Sequence, residues 1–176
     1  ELNPKWSTPY RNLAKMSLID RDVPGAVDVL RQGFENTNDL TLAVELAGHY
    51  ERSGKTGEAL ALYEKLLQER PNAAVVKNNL TMLLLQGKPD QATLDRALEL
   101  SKEFAISENP IYIDTLGWVH YIRGEMSDAV TILERADRGK LKLPDISYHL
   151  GMAYYKSGRN QEAREKLEQA LEYDRG

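Results

Sequence analysis

A short pattern that returns about every 34 residues constrains this chain more than any other feature. Its two clearest copies each contain a Leu-Gly pair, a turn glycine and an alanine: Leu116-Gly117, Gly124 and Ala129, then Leu150-Gly151, Gly158 and Ala163. A period of this length is typical of helical solenoids, in which each repeat is one supersecondary unit stacked on its neighbours. Such a fold offers a surface for holding other molecules more often than a site for chemistry.

Weaker copies of the pattern extend over the whole chain and indicate pairs of antiparallel helices. The first helix of each pair carries a leucine and a small residue: Leu13-Ala14, Leu46-Ala47, Leu80-Thr81, Leu116-Gly117 and Leu150-Gly151. A turn then follows at Asp20-Arg21-Asp22, Gly54, Gly87, Gly124 and Gly158. Glycine suits the left-handed conformation that ends a helix. The second helices are predicted to start near Pro24, Thr56, Thr93, Ser127 and Gln161.

The sequence therefore predicts an all-α fold, an α-solenoid of about five helix-turn-helix repeats in a right-handed superhelix. The repeats span approximately 7–39, 40–73, 74–109, 110–143 and 144–176 and form a single array. The third repeat is irregular, because Gly87-Lys88-Pro89-Asp90 lengthens its turn by about four residues. We expect a longer loop or an extra helical turn there. The first residues, 1–4, resemble the end of an earlier repeat, which favours a segment of a longer protein.

This pattern resembles the tetratricopeptide repeat, in which a Leu-Gly pair, a tyrosine, two alanines and a closing proline recur. Three segments are similar, more narrowly, to bacterial tetratricopeptide-repeat lipoproteins of PEP-CTERM sorting and exopolysaccharide export: residues 77–80, 113–119 and 148–153. The resemblance implies an envelope-associated scaffold, in the periplasm or at the outer membrane. The segment departs from that family because it has neither the lipid-bearing cysteine nor the leader.

Composition excludes several classes of function. The chain has 23 Lys+Arg against 27 Asp+Glu, a formal net charge of -4, and this balance argues against nucleic-acid binding. It has no cysteine, which excludes disulfides, thiolate metal sites and a thiol nucleophile from this segment. No apolar run is long enough to span a membrane.

Catalytic and metal chemistry also lack a recognisable motif. The histidines are His49, His120 and His149, and they have no metal-ligand spacing. His120 occupies a core position of its repeat, which favours a buried imidazole with a satisfied partner. The glycines are too dispersed for a phosphate-binding loop, and no nucleophile has an evident base. We therefore expect no enzyme activity, no cofactor and no metal.

A second stripe of residues marks the first helices as a binding surface. In three repeats the positions i, i+4 and i+7 carry large or polar side chains: Asn78, Met82 and Leu85, then Asp114, Trp118 and Tyr121, then Tyr148, Met152 and Tyr155. Such positions share one side of a helix. In tetratricopeptide arrays the first helices line the concave face, so these residues predict a groove with an aromatic C-terminal end. The equivalent positions of the first repeat, Arg11 and Lys15, make its N-terminal end charged.

The groove predicts a protein or peptide partner that docks as an extended segment. Tryptophan and tyrosine are enriched among the residues that dominate binding energy. The alternative at the level of residues is that Trp118, Tyr121 and Tyr155 pack between neighbouring first helices. The alternative at the level of function is a structural spacer or an oligomerisation module within a larger protein.

The last helix carries an apolar face that no later helix of this segment covers. Ala163, Leu167, Ala170 and Leu171 share that face. Because solenoids need polar terminal caps, we expect self-association through the C-terminal helix, or a further helix in the parent protein. The alternative is that neighbouring side chains cover the face adequately.

Overall fold

Helices make up nearly all of the structure. The computed structural model describes residues 6–139 and 142–174, and within these ranges there are ten α-helices, one 3₁₀ helix and no β-strand. The α-helices are α1 (Thr8–Ile19), α2 (Val23–Thr37), α3 (Leu40–Arg52), α4 (Thr56–Glu69), α5 (Ala74–Leu84), α6 (Gln91–Ser101), α7 (Pro110–Arg123), α8 (Met126–Asp137), α9 (Pro144–Lys156) and α10 (Asn160–Asp174). The predicted all-α fold is confirmed, and the odd-numbered helices are the first helices of the repeats. The N-terminal segment 1–4, predicted to be the end of an earlier repeat, lies outside the described residues.

The turns inside the repeats adopt the left-handed conformation that their sequences predict. The backbone φ angle is positive at one position in each turn: Arg21 (61°), Gly54 (71°), Gly87 (74°), Gly124 (82°) and Gly158 (77°). Four of these positions carry glycine, which has no Cβ and adopts positive φ without steric cost. Arg21 holds the same conformation with a full side chain.

Side chains and prolines fix the starts of several helices. Asp22, Asp39, Asp90 and Asn109 each accept a hydrogen bond from a backbone N–H in the first turn that follows. Proline lies in the first turn of α1, α2, α7 and α9. The first N–H groups of a helix have no partner inside it. A capping side chain accepts a hydrogen bond from one of them, and proline has no N–H that needs a partner.

Small residues set the distance between the two helices of a repeat. A Cβ placed on Gly117 would lie 2.6 Å from the Cγ of Leu133, and one placed on Gly151 would lie 2.9 Å from the Cγ of Leu167. Both contacts are shorter than real Cβ contacts, so α7 approaches α8, and α9 approaches α10, as closely as glycine allows. The predicted role of the small residue is confirmed in these two repeats.

Two compact units make up the chain, one up to Val76 and the other from Lys77 onward. In the first unit, α1 packs on α2, α2 on α3 and α3 on α4. Its core contains Leu30, Leu42, Tyr63 and Leu66, all nearly inaccessible to solvent. In the second unit, α7 packs on α6, α8 and α9, and α9 packs on α8 and α10. The first helices α7 and α9 are therefore direct neighbours.

The third repeat has the longer connection that its sequence predicts at residues 87–90, and it also has an extra helical turn after α6 that the sequence did not predict. Residues 85–90 form an extended connection before α6, and a 3₁₀ helix (Lys102–Ile106) follows α6 directly. The α-helix changes to the 3₁₀ helix after Ser101, whose hydroxyl donates to the carbonyl of Ala97 at 2.8 Å. Phe104 of the 3₁₀ helix is buried and stacks on Tyr112 with ring centroids 4.9 Å apart. The additional helical turn thus supplies an aromatic side chain to the core.

Candidate partner-binding face

The first helices of the second unit form a continuous surface. We call this surface the first-helix face and define it by residues of α5, α7 and α9: Asn78, Met82, Asp114, Trp118, Tyr121, Tyr148 and Met152. Helices α7 and α9 pack directly against each other. Helix α5 is joined to α7 by a buried hydrogen bond, in which the Thr115 hydroxyl donates to Asn78 Oδ1 at 2.7 Å. The residues that define this face are seven of the nine residues predicted to line the groove.

A repeated polar contact holds neighbouring first helices in register. In each contact, one partner lies two positions before the leucine of its repeat. The other partner lies one position before the leucine of the next repeat, and the two side chains form a hydrogen bond. The pairs are Arg11 with Glu45 at 2.9 Å, Asn78 with Thr115 at 2.7 Å, and Asp114 with His149 at 2.8 Å. Each pair links side chains one period apart. The contact therefore fixes which residues of adjacent helices stand opposite each other.

Aromatic rings cover the C-terminal part of the first-helix face. The indole of Trp118 stacks on Tyr121 with ring centroids 4.4 Å apart and on His149 with centroids 4.0 Å apart. Tyr148 lies at a tilt to Trp118, with centroids 6.3 Å apart, and is 45% exposed. Trp118 also packs on the core cluster that contains Val119, and Tyr121 packs on the core cluster that contains Leu150.

The sequence left open whether these rings line an exposed groove or pack between first helices, and the structure shows features of both. Trp118 and Tyr121 pack between helices and keep part of their surface accessible, because both are only partly buried. Tyr148 lies on the solvent side of the cluster. Stacked aromatic pairs contribute about 0.5–1.5 kcal/mol beyond their area burial. The rings of Trp118, Tyr121 and His149 therefore form a packed aromatic platform, and Tyr148 extends this platform toward solvent.

A pocket of 370 Å³ opens beside the aromatic rings, and we call it the Asp114 pocket. Polar side chains lie on α5, α7 and α9, and apolar ones complete the wall: Asn78, Asp114, Thr115, Asp145 and His149, with Met82, Ile111, Leu143 and Ile146. Pockets that bind small ligands or single groups range over about 300–1,000 Å³. This one is large enough for one long side chain.

Asp114 is the most unusual group in the pocket. It is only 5% exposed, and its Oδ2 accepts from Nδ1 of His149 at 2.8 Å. Its Oδ1 is buried and has no hydrogen-bond partner among the described residues. Burial raises the pKa of Asp114, and the hydrogen bond from His149 offsets part of that rise. A buried carboxylate oxygen without a donor is costly, which makes it a ready acceptor for an incoming N–H group.

Two of the nine predicted site residues lie apart from the first-helix face. Leu85 is 6% exposed and packs in a core cluster with Ala97 and Val119, so it does not line a groove. Leu85 directly follows α5, and its N–H still donates to the carbonyl of Thr81, so packing against α6 and α7 buries the side chain. Tyr155 is exposed, and it borders a different pocket between α9 and α10.

Sequence reasoning missed His149 and Thr115, the two side chains that complete the polar contacts. His149 has no neighbour with metal-ligand spacing, yet it pairs with a residue 35 positions earlier. A signal was available, since both residues sit immediately before the leucine of their repeats. Their partners, Asn78 and Asp114, lie two positions before the leucine of the preceding repeat.

A second cluster of titratable groups lies at the end of α7. His120, Glu125 and Asp128 place ligand atoms within 4.8 Å of one another. Glu125 is already engaged, because His120 contacts its carboxylate at 2.6 Å and Arg123 Nε donates to it at 2.9 Å. Burial acts to raise the pKa of Glu125, but the bonds from Arg123 and His120 lower it on balance. The guanidinium would repel a cation, so we assign this cluster to the packing of the turn.

An apolar pocket of 480 Å³ lies between α9 and α10. Tyr155, Leu167 and Leu171 contribute to its wall, and Leu171 is 61% exposed. Ala163 and Ala170, on the same face of α10, are buried. Part of the predicted apolar face is thus covered, and the part around Leu171 is accessible. No described helix is long and apolar enough to cross a membrane.

Comparison with known families identifies the repeat. Residues 41–74 and residues 144–176 each match a model described as tetratricopeptide repeat. These two segments therefore carry tetratricopeptide repeats, as the 34-residue period predicts. Tetratricopeptide-repeat domains bind protein partners and are generally non-catalytic scaffolds. No curated protein sequence gives a significant match.

Solved structures of other repeat proteins share the fold. The chain is similar to MamA residues 41–end from Desulfovibrio magneticus RS-1, with 18% identity over 96% of this chain and 95% of that one and a TM-score of 0.70. It is also similar to a thermophilic tetratricopeptide-repeat protein of Thermus thermophilus, with 21% identity over 96% of this chain and 91% of that one and a TM-score of 0.77. These likenesses establish the tetratricopeptide-like α-solenoid fold.

Proposed function

We propose that this protein is a non-catalytic scaffold that binds an extended segment of a partner protein on the first-helix face. The observation that carries the proposal is the exposed Tyr148 beside Trp118, whose ring stacks on His149, a wall residue of the pocket that holds an unpaired buried carboxylate oxygen. Aromatic anchors beside a polar pocket provide both contact area and orientation.

An extended segment suits this surface better than a globular partner. The Asp114 pocket and the aromatic rings lie side by side across α5, α7 and α9. A peptide that crosses these helices would place one side chain in the pocket and the next ones on Tyr148 and Met152. The polar groups in the pocket would then fix its register.

The proposed setting is a bacterial envelope assembly for exopolysaccharide export or protein sorting. It rests on the resemblance of residues 77–80, 113–119 and 148–153 to the PEP-CTERM-associated repeat lipoproteins. Fractionation of the native host with an antibody to this chain tests it. Recovery with the envelope fraction is expected, and recovery only with the cytosol would contradict the setting.

Selection of peptides followed by affinity measurement tests the binding function. A library of random peptides displayed on phage is selected against the chain, and the dissociation constants of the selected peptides are measured by calorimetry. Replacement of one anchor commonly costs about 2 kcal/mol, or roughly 30-fold in affinity. We expect Tyr148→Ala to weaken binding by about that factor.

Trp6→Ala is the matched control, because Trp6 is an exposed aromatic residue of the first unit. It should leave the affinity unchanged. Equal affinities of the wild type and Tyr148→Ala for every selected peptide would refute the proposal. Tyr148 is preferred over Trp118 for this test because Trp118 also packs on the core, and its removal would change folding as well as binding.

A second candidate function is oligomerisation through α10, favoured by the accessible apolar pocket around Leu171. In this candidate the Leu171 surfaces of two copies meet. Light scattering over a range of concentrations is then expected to show a dimer that Leu171→Lys returns to monomer. A monomer at every concentration would exclude this function and leave the peptide-binding proposal intact.

A further inference from the structure

The Asp114 pocket combines an apolar wall with two carboxylates. Asp114 lies at its buried side and Asp145 is exposed at its rim. Met82, Ile111 and Ile146 supply aliphatic surface between them. A ligand that matches this arrangement has an aliphatic stem and a positively charged end.

Two described lysines that adjoin lining residues in the sequence have partners elsewhere. Lys77, which precedes Asn78, has its Nζ 2.5 Å from the carboxylate of Glu103. Lys142, which precedes the lining residue Leu143, lies over the ring of Tyr173. His149 satisfies only Oδ2 of Asp114, and Oδ1 has no donor among the residues that the structure describes.

We infer that the Asp114 pocket binds the lysine or arginine side chain of a partner segment, with the ammonium or guanidinium group on Asp114 and the stem on the apolar wall. The inference rests on the proposed function, since it names the side chain that the first-helix face selects. Lysine and arginine bury their methylene stems along apolar surface and direct their charge to a polar group. Hydrogen bonds between a cation and a carboxylate are about twice as strong as neutral ones.

The polar contacts around Asp114 favour a cation over a neutral group. Asp145 adds a second negative charge at the mouth, which attracts a cation and repels a carboxylate. The bond from His149 holds the Asp114 carboxyl in one orientation. Thr115 is committed to Asn78, so its hydroxyl does not compete for Oδ1 of Asp114.

Capped amino acids of matched shape test the inference. The probes are the Nα-acetyl N-methylamides of lysine, arginine and norleucine, titrated into the full chain and followed by the NMR shifts of backbone amides. Saturable shifts at Thr115 and Ile146 are expected with the lysine and arginine probes. The norleucine probe, which lacks the charge, should bind at least about tenfold more weakly.

Variants locate the charge that is recognised. Asp114→Asn keeps an oxygen for His149 and removes the charge, so it should abolish the preference for lysine over norleucine. Asp145→Asn should reduce the preference without abolishing it. Asp128→Asn, an exposed aspartate of the same unit at another surface, is the matched control and should leave the preference unchanged.

Three results would overturn the inference: equal binding of the lysine and norleucine probes, no saturable shift with any probe, or an unaltered preference in Asp114→Asn. If Asp114→Asn does not fold, the preference for the lysine probe over the norleucine probe is compared between the wild type and Asp145→Asn. An equal preference in these two proteins would then overturn the inference. The proposed function can fail separately. Selected peptides that lose affinity in Tyr148→Ala but contain no enriched lysine or arginine would retain the function and reject the inference.

Discussion

Single glycines decide how closely the helices of a repeat approach. Gly117 lies against Leu133, and an added methyl group would meet that side chain at 2.6 Å. Overpacking of a well-packed core costs about 1–3 kcal/mol. We predict that Gly117→Ala lowers the free energy of unfolding by about this amount in urea denaturation.

Gly57 is the control for this substitution. It lies in α4, and a Cβ placed there meets nothing within 4 Å. Alanine is favoured over glycine in a helix by roughly 0.5–1 kcal/mol, so Gly57→Ala should stabilise the chain slightly. Destabilisation of both variants by the same amount would contradict the close-packing role of Gly117.

The carboxyl group of Asp114 makes folding stability depend on pH. Burial raises its pKa above the ordinary value of 3.8, and the hydrogen bond from His149 offsets part of that rise. The folded chain therefore binds this proton more tightly than the unfolded chain does. Its stabilising contribution is complete below 3.8 and is lost as the pH rises through the folded pKa.

Asp114→Asn removes this dependence. The free energy of unfolding of the wild type, relative to Asp114→Asn, should fall as the pH rises through that window, by about 1.4 kcal/mol for each unit of difference in pKa. Urea denaturation at a series of pH values measures it. The nearby side chains His149 and Asp145 are present in both proteins, so their own contributions largely cancel in the comparison. Parallel pH profiles would show that Asp114 does not carry the effect.

At the scale of elements, the turn between α1 and α2 is the exception among five. Arg21 has a φ of 61°, where the other four turns have glycine. The left-handed conformation costs a residue with a side chain roughly 1–2 kcal/mol. Glycine also gains entropy in the unfolded chain, which offsets part of that difference.

We predict that Arg21→Gly raises the free energy of unfolding by about 0.5–1 kcal/mol. Arg21→Ala retains the strained conformation and serves as the control, with no gain expected. The reverse change, Gly158→Ala, should destabilise its turn by about 1 kcal/mol. A gain in Arg21→Ala equal to that in Arg21→Gly would attribute the effect to the lost charge instead of the backbone.

The starts of the second helices were largely predictable, because each repeat carries its own turn and capping residues. The predicted starts at Pro24, Thr56, Ser127 and Gln161 lie within one residue of the observed ones. The predicted start at Thr93 is two residues late, because Asp90 accepts from the N–H of Thr93 and the helix begins at Gln91. The capping residue Asp90 indicates the earlier start, whereas the register of the repeats indicates Thr93.

Contacts between repeats were not predictable from local signals. The Asp114–His149 pair joins residues 35 positions apart, and its formation depends on the register of α7 against α9. Leu85 shows the same limit, since its i+7 position predicted a groove and its contacts with Ala97 and Val119 place it in the core. Periodicity assigns a residue to one side of its helix, but the neighbouring helices decide whether that side is buried.

At the scale of the whole molecule, the proposed binding surface belongs to one of the two compact units. The first-helix face lies entirely in the unit that begins at Lys77. The first unit has a related polar contact, Arg11 with Glu45, but there two opposite charges satisfy each other. The chain carries a formal net charge of -4, which favours approach of a basic segment.

Site-specific photocrosslinking of a selected peptide shows whether the first-helix face is the surface that binds it. A photoreactive phenylalanine derivative, which keeps an aromatic ring at the anchor position, replaces either Tyr148 on the first-helix face or Thr131, an exposed residue of α8 in the same unit. We expect an efficient crosslink from position 148 and none from position 131. A crosslink from position 131 with none from position 148 would contradict it.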